Sequence, residues 1–458
     1  MINPTMDKSQ ILNIELELVN RLIGKVSLLQ PQDEKNALIE QNLEELLKSD
    51  HFQKEREELN HQEVKKEFVN RFLSYGIIHD LLNDFEVEDI CINALKDIYI
   101  HHAQKGLIPT ERKFETAKEL DLFVKKLLLF SGRRVAGRII NLELPNLDGR
   151  VNIAFSAFGP HITITKAKLS PYSIIDLVNK GSLTYDVAAQ LWLYLEGLSV
   201  KPANMVIAGG PGVGKTTLLN ALFSFVPANE RMVIIEDTLE LNSFLEESCA
   251  RLESDADLSL ADLVKNSLRM RPERIIIGEV RGEEARDMMT AVNVGKYLIG
   301  TIHALTAREA IIRLQNEPMN IPEILVNLID VFVVLRRFHV GNRVFRVVDE
   351  ISETSGMEQM KILLSQVYKY SYETDKVTPI SPSTVYRDRL AQQSGLKSLE
   401  IIDEVRIRSF LLEQLAQTGH TTMKEITNFC RAYNKDSHSA IKSLGFDRDE
   451  LLGKKKFG

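Results

Sequence analysis

One run of residues carries the clearest chemistry in this chain: Gly209-Gly210-Pro211-Gly212-Val213-Gly214-Lys215-Thr216-Thr217, which satisfies the spacing GxxxxGK[ST]. Glycines here let successive backbone N–H groups turn inward around an anion with no Cβ in the way. The apolar segment Met205-Val206-Ile207-Ala208 precedes the run, and a helical pattern carrying Leu218, Leu219, Leu222 and Phe225 follows it. The start of that helix offers its N–H groups and its dipole to the same anion. Lys215 is then placed to reach the β- and γ-phosphates of a nucleotide, and the Thr216 hydroxyl to ligate Mg²⁺. The pattern alone arises by chance in on the order of one such chain in a hundred, and its strand-before, helix-after context makes a plain glycine turn the weaker reading.

Holding a triphosphate is not cleaving it. Hydrolysis needs a carboxylate at the end of a neighbouring strand, because ligands of an open parallel sheet sit outside the carboxyl ends of its strands. Two candidates stand there: the acidic box Glu236-Asp237-Thr238-Leu239-Glu240, after the apolar residues 232–235, and Glu279, after Ile275-Ile276-Ile277-Gly278. A lone acid after a strand is ordinarily a turn residue; two beside a phosphate loop point to catalysis. His303 closes Gly300-Thr301-Ile302-His303. Such a histidine is more commonly packed or exposed, and contact with a γ-phosphate is the other reading. Arginines gather in two places, Arg269, Arg271, Arg274 and Arg281 around the strand at 274–277, and Arg133, Arg134, Arg138 and Arg150 earlier. An arginine supplied across an interface is worth ~10³ to 10⁵ in phosphoryl-transfer rate. Spacing does not separate that use from surface or ion-paired arginines.

These residues need a scaffold. Apolar strands at 205–208, 232–235, 274–277 and 297–302 alternate with helical stretches, which predicts a parallel sheet covered on both faces. Ser259-Leu260-Ala261-Asp262 reads as a capping box for a helix that stops at Pro272. Before this core, residues 72–166 show short mixed elements. Strands are expected at 87–92 and 97–101 around Asn93, a helix at 120–130 with Leu122, Leu127 and Leu128 on its apolar side, and strands at 151–155 and 162–165 flanking a Gly159-Pro160 loop. Residues 166–171 read as a linker, with Ser170-Pro171 opening a helix. Residues 1–70 are helical and mostly polar; Ile11, Ile14, Leu16, Leu18 and Leu22 form a stripe, Pro31 breaks it, and the alternating charges of 54–67 suit a solvated face better than a partner or membrane surface. Beyond residue 342 antiparallel strands at 343–348 and 366–372 lead through the Ser/Pro stretch 380–384 to a helical tail marked by Ile401, Ile407, Phe410 and Leu411, ending in a frayed Lys454-Lys455-Lys456. The domains expected are a helical extension (1–65), an α+β domain (66–168), a P-loop α/β domain (169–350), and C-terminal strands with a helical tail (351–458).

Composition narrows the function classes. At 458 residues, 44% hydrophobic and 26% charged, the chain falls among globular proteins of about three domains. A net charge of −7 and a single tryptophan do not favour a protein that tracks nucleic acid. Cys91, Cys249 and Cys430 are isolated and odd in number, which supports neither a disulfide framework nor a cysteine zinc module and suits reduced thiols in the cytosol. The N-terminus lacks the pattern of a secretory signal, and apolar runs such as 331–335, cut short by Arg336 and Arg337, fall far below the ~20 residues of a membrane span. The expectation is a soluble chain whose membrane contact is indirect.

With these motifs in this order, the sequence resembles the secretion ATPase superfamily, the motors of type II and type IV secretion, type IV pili and the archaellum. The resemblance extends to Tyr75-Gly76, Leu81-Leu82, Glu88-Asp89-Ile90, Gly132-Arg133-Arg134 and Asp148-Gly149-Arg150-Val151, and covers roughly residues 70–350. Arg313-Leu314 followed by Pro318-Met319-Asn320-Ile321-Pro322 is most similar to the archaeal pilus and archaellum branch, near the tight-adherence motors. It implies a RecA-like core that hydrolyses ATP with Mg²⁺, the nucleotide lying in a cleft between the two main domains of one subunit, with neighbouring subunits completing a hexameric ring. It also implies roles: Glu240 polarises the attacking water, Glu279 holds the metal shell, His303 senses the γ-phosphate, Arg269 and Arg271 reach a nucleotide, and Arg134, Arg138 and Arg150 close the N-terminal domain by a hinge at 166–171. The implied partner is an integral membrane platform protein at the inner face of the cell membrane, assembling or secreting pilin-like subunits. The four-cysteine zinc module of some members is absent. A nucleic-acid motor of the same superfamily, a nucleotide-gated scaffold without turnover and a small-molecule kinase are the competing readings; carboxylates at 240 and 279 argue against the scaffold, and no acceptor pocket marks the kinase.

Overall fold

The computed structural model describes residues 7–26, 31–49, 52–103, 105–132, 137–144, 149–166, 171–237, 239–241, 248–254, 257–341 and 343–453, with the backbone alone at 32, 53, 54 and 143. The chain forms two compact units, Met1–Leu169 and Ser170–Gly458.

In the first unit, β1 (Val87–Asn93), β2 (Tyr99–His102), β3 (Gly106–Pro109), β4 (Ile139–Leu144), β5 (Gly149–Ser156) and β6 (Gly159–Lys166) make one antiparallel sheet in the order β3-β2-β1-β6-β5-β4. Side chains alternate as a half-buried strand requires: β5 buries Val151 and Ile153 and exposes Arg150 and Asn152. The helix Ala117–Phe130 packs Leu120, Phe123, Val124 and Leu127 into the same core as the buried face of the sheet. Its Leu122 and Leu129 join a second core with Ile14 and Leu18 of Lys8–Leu22, Leu43 of Gln32–Leu47 and Phe68 and Phe72 of Gln62–Leu73. This helix is therefore buried on two sides, and Leu128, expected on its apolar face, is only partly buried. Thr116 starts it by accepting a hydrogen bond from the Glu119 N–H, three residues before the expected start. Within this unit Lys126 donates to Glu15 at 3.0 Å, with both side chains almost wholly buried.

The Gly159-Pro160 loop is corrected: both residues lie in β6, opposite Ser156 and Phe155, and the hairpin turns at Ala157-Phe158. Two short strands, β3 and β4, were not foreseen.

In the second unit, β7 (Met205–Ala208), β8 (Met232–Glu236), β9 (Cys249–Glu253), β10 (Arg274–Val280), β11 (Tyr297–Ile302), β12 (Val331–Val340), β13 (Arg343–Glu358), β14 (Lys361–Ser371) and β15 (Lys376–Pro379) form a single sheet in the order β15-β14-β13-β12-β7-β11-β10-β8-β9. From β12 to β9 every pairing is parallel, and from β12 to β15 every pairing is antiparallel. The expected α/β core is present, with the strand of the glycine run at its centre. Alternate residues feed two cores: Met205, Ile207, Ile234 and Ile276 on one face, Val206, Ala208, Ile235 and Ile277 on the other. The antiparallel strands extend this same sheet, and β13 runs straight through residue 350, where a boundary was expected.

The first core also holds the C-terminal helix Ser398–Gln417, through Ile401, Ile407 and Leu411, against the helix Tyr185–Glu196. Trp192 lies there, fully buried, stacked on Phe225 with ring centroids 5.4 Å apart and beneath the Arg408 guanidinium at 4.7 Å. Arg408 donates to Glu196 at 2.7 Å and Glu404 at 3.0 Å. The capping box Ser259–Asp262 is formed as expected. The helix expected to open at Ser170-Pro171 instead spans Ile174–Asn179 and is capped by Ser173; most of the expected linker, with Ser170, lies outside the described residues. Lys454-Lys455-Lys456 does too.

Candidate functional site

The glycine run folds as its composition demands. It leaves β7 at Gly209, where an added Cβ would lie 2.6 Å from Val213 Cγ2 and 2.9 Å from the Leu335 carbonyl oxygen. Gly214 takes φ +98°, open to glycine but rarely to other residues, and caps the helix Lys215–Leu222. The Lys215 amine donates back to the carbonyls of Gly209 (3.1 Å) and Gly210 (3.0 Å). Burial lowers its pKa, opposed by the charges of Glu279 and Glu240.

Parallel pairing of β7 with β11, β11 with β10 and β10 with β8 brings the ends of these strands together. The His303 Nδ1 lies 3.4 Å from the Lys215 amine, and its Nε2 lies 2.9 Å from Glu279 Oε1. The other Glu279 oxygen accepts from Arg281 at 2.7 Å, and Arg281 also faces Asp237 at 3.3 Å. Thr216 donates its hydroxyl to Glu240 at 3.2 Å. Burial pushes the Glu279 carboxyl up, but the Arg281 hydrogen bond, with the charges of Arg281, His303 and Lys215, outweighs it and holds the group below its ordinary range. Lys215, Thr216, Glu240, Glu279 and His303 thus stand together.

Glu236 does a different job. It ends β8 buried, and its Oε1 accepts the backbone N–H of both Glu240 and Leu241 at 3.0 Å. Its Oε2 is buried with no hydrogen-bond partner among the described residues. Burial raises its pKa to about 7 against those two bonds. Gly278 makes the room: a Cβ there would fall 2.8 Å from Glu236 Cγ. Glu236 therefore sets the backbone that carries Glu240.

The arginines separate. Arg269 and Arg271 are exposed and precede β10, at the end of the strand opposite Glu279, roughly 20 Å away at the rise of a strand. The structure does not bring them to this site, because a parallel strand carries its two ends to opposite edges of the sheet. Arg274 is fully buried and pairs with Glu230 at 2.7 Å, a structural role. Arg281, not singled out within its cluster, is the arginine that reaches the acids; its position two residues after Glu279 was the available signal. Arg313 donates to the His303 carbonyl, unforeseen. Arg138 and Arg150 belong to the first unit, both exposed, Arg150 on β5. Arg134, with Arg133 and Thr238, lies outside the described residues.

The model of the family described as type II/IV secretion system protein matches residues 63–353. The chain belongs to that family. An uncharacterised protein of Methanocaldococcus jannaschii is 36% identical over 233 residues, covering 48% of this chain and 32% of the relative. A probable conjugal transfer protein TrbB of Sinorhizobium fredii is 27% identical over 312 residues, covering 65% of this chain and 90% of the relative. The chain therefore spans about a third of the first relative and most of the second. Among solved structures, the Legionella pneumophila ATPase DotB superposes with a TM-score of 0.43 at 18% identity, over 83% of this chain and 91% of that one. No helix among the described residues of this family member is long and apolar enough to cross a membrane.

Proposed function

We infer that this family member is an ATP-hydrolysing motor for a secretion or pilus machine. The observation that carries the reading is the linked set Lys215–His303–Glu279–Arg281 at the mouth of the glycine loop, with Glu240 on Thr216 beside it. Lys215 exchanges its two loop carbonyls for phosphate oxygens. Glu240, held by Glu236, orients and polarises the attacking water. His303 stands between Lys215 and Glu279, placed to register whether a γ-phosphate is present. Hard oxygen donors, the Thr216 hydroxyl and an ionised Glu279, fit Mg²⁺ and would hold it; the ion supplies charge neutralisation on the β- and γ-oxygens. The products are ADP and phosphate.

Family membership and the conjugal-transfer relative support work on a membrane-bound machine from its cytoplasmic side, by several copies acting as a ring with an integral platform protein as partner. Arg313-Leu314 and the Pro318–Pro322 motif favour the archaeal pilus and archaellum branch. Arg269 and Arg271, remote from their own chain's site, suit contact with a neighbouring copy's nucleotide.

Phosphate release by the purified chain tests this directly. Lys215→Ala is expected to lose nucleotide binding and turnover together. Glu279→Gln is expected to retain binding and lose turnover by about 100-fold or more. Undiminished turnover in Glu279→Gln removes that acid from the mechanism, and a wild-type chain that binds no nucleotide removes the motor.

A further inference from the structure

Beyond Ala208 the sheet does not end. β12 pairs with β7 through Val334 and then continues with β13 as a hairpin, residues 335–348, past the carboxyl end of the glycine-run strand. This stretch contains Arg336, Arg337, His339, Arg343 and Arg346 and no acidic residue. Its two faces are used differently. On one, Phe338 stacks on Phe345 at 5.5 Å and packs against Tyr370 and Tyr372, while Arg336 is neutralised by Asp349 at 3.1 Å. The other face turns to the glycine loop. Leu335 meets Gly209, and the two residues directly opposite each other two positions further on are both arginines, Arg337 and Arg346.

Like charges directly opposite on a sheet repel. Arg346 Nε nevertheless donates to the Gly212 carbonyl at 3.0 Å, and a Cβ added at Gly212 would lie 3.3 Å from Arg337 Nη1. The Arg337 Nε is buried with no hydrogen-bond partner among the described residues. Lys215 gives the loop a direction: its amine sits at Gly209, Gly210 and His303, and the lysine of such a loop reaches the β- and γ-phosphates. Gly212 follows these two glycines along the loop and is the one that meets the arginine pair.

Resting on the nucleotide-binding reading above, the geometry points to Arg337 and Arg346 as the residues that grip the α-phosphate, so that this hairpin sets the nucleoside end of the substrate. A guanidinium pair at that phosphate recognises non-bridging oxygens in a fixed orientation and gains from each charge-assisted bond.

The experiment is competitive binding of ATP and of the two diastereomers of its α-thio analogue, in which one α-oxygen is sulfur, to the full chain. The wild type is expected to prefer one diastereomer. Arg337→Gln and Arg346→Gln are each expected to weaken ATP about tenfold and to bring the two diastereomers towards equal affinity. Arg343→Gln, an equal loss of charge on the hairpin's other face, is expected to change neither. A diastereomer preference that survives in both site variants overturns the assignment, as does weakened ATP binding with the preference intact, which would make the pair a brace for the loop. Absence of ATP binding by the wild type overturns the phosphate-loop reading itself.

Discussion

Lys215 turns its charge onto the carbonyls of its own loop, and Glu279 is held ionised by an arginine two residues away, so the charges of this site are set by neighbours rather than by isolated side chains. Glu236 is the counterexample, a carboxyl whose pKa burial raises to about 7 against two backbone hydrogen bonds and the charge of Arg251, 3.9 Å away. The sign of its effect follows. A group bound more tightly to its proton in the folded chain favours folding fully below its ordinary pKa of 4.5 and loses that favour as pH rises through about 7. Glu236→Gln keeps an acceptor for the Glu240 and Leu241 N–H groups and cannot ionise. Its melting temperature relative to wild type is expected to rise by a few degrees between pH 5 and pH 8, followed by calorimetry; a difference independent of pH would show that the carboxyl is not strained. That the glycine run, Glu240, Glu279 and His303 would stand together was legible in the sequence, because each follows an apolar strand of one parallel sheet. Arg281 was not distinguishable from Arg269 and Arg271 until strand direction placed them at opposite edges.

At the scale of elements, legibility followed periodicity. The parallel strands β7, β8, β10 and β11 read plainly as apolar runs because they are buried on both faces. Edge strand β9, Cys249–Glu253, is partly buried or exposed at every position and has no alternation to detect. The length of β12 was hidden because Arg336 and Arg337 look like the end of an apolar run; what accommodates them, Asp349, Tyr372 and the glycine loop, lies at least a dozen residues away. Residues 54–67 read as a solvated face because their charges alternate in sign, yet Leu59 among them is buried in the core shared with Ala117–Phe130. Across that core the Lys126–Glu15 pair is costly to break and cheap to replace. Glu15→Ala, which strands Lys126, is expected to destabilise the first unit by about 3–5 kcal/mol, and Glu15→Met with Lys126→Met to be nearly neutral. Denaturant titration compares them, and equal losses would mean that packing, not charge, governs the contact.

On the scale of the whole second unit, one sheet runs from the edge strand β9 through the glycine loop's own strand to β15, and the C-terminal helices close over its face. Their attachment is polar at its centre: Arg408 pairs with Glu196 and Glu404, and Arg448 reaches Glu404 at 2.6 Å. Arg408→Ala leaves Glu196 buried and unpaired, and its denaturation midpoint is expected to fall by an amount worth several kcal/mol; an unchanged midpoint would show that the tail is held by its apolar contacts alone. Trp192, the chain's single tryptophan, sits under that same arginine. The molecule therefore carries its own optical gauge, unlabelled and unique, at the seam where tail meets sheet: an emission that stays still when nucleotide is added would mean the seam rides as one rigid piece, and a shift would time its opening.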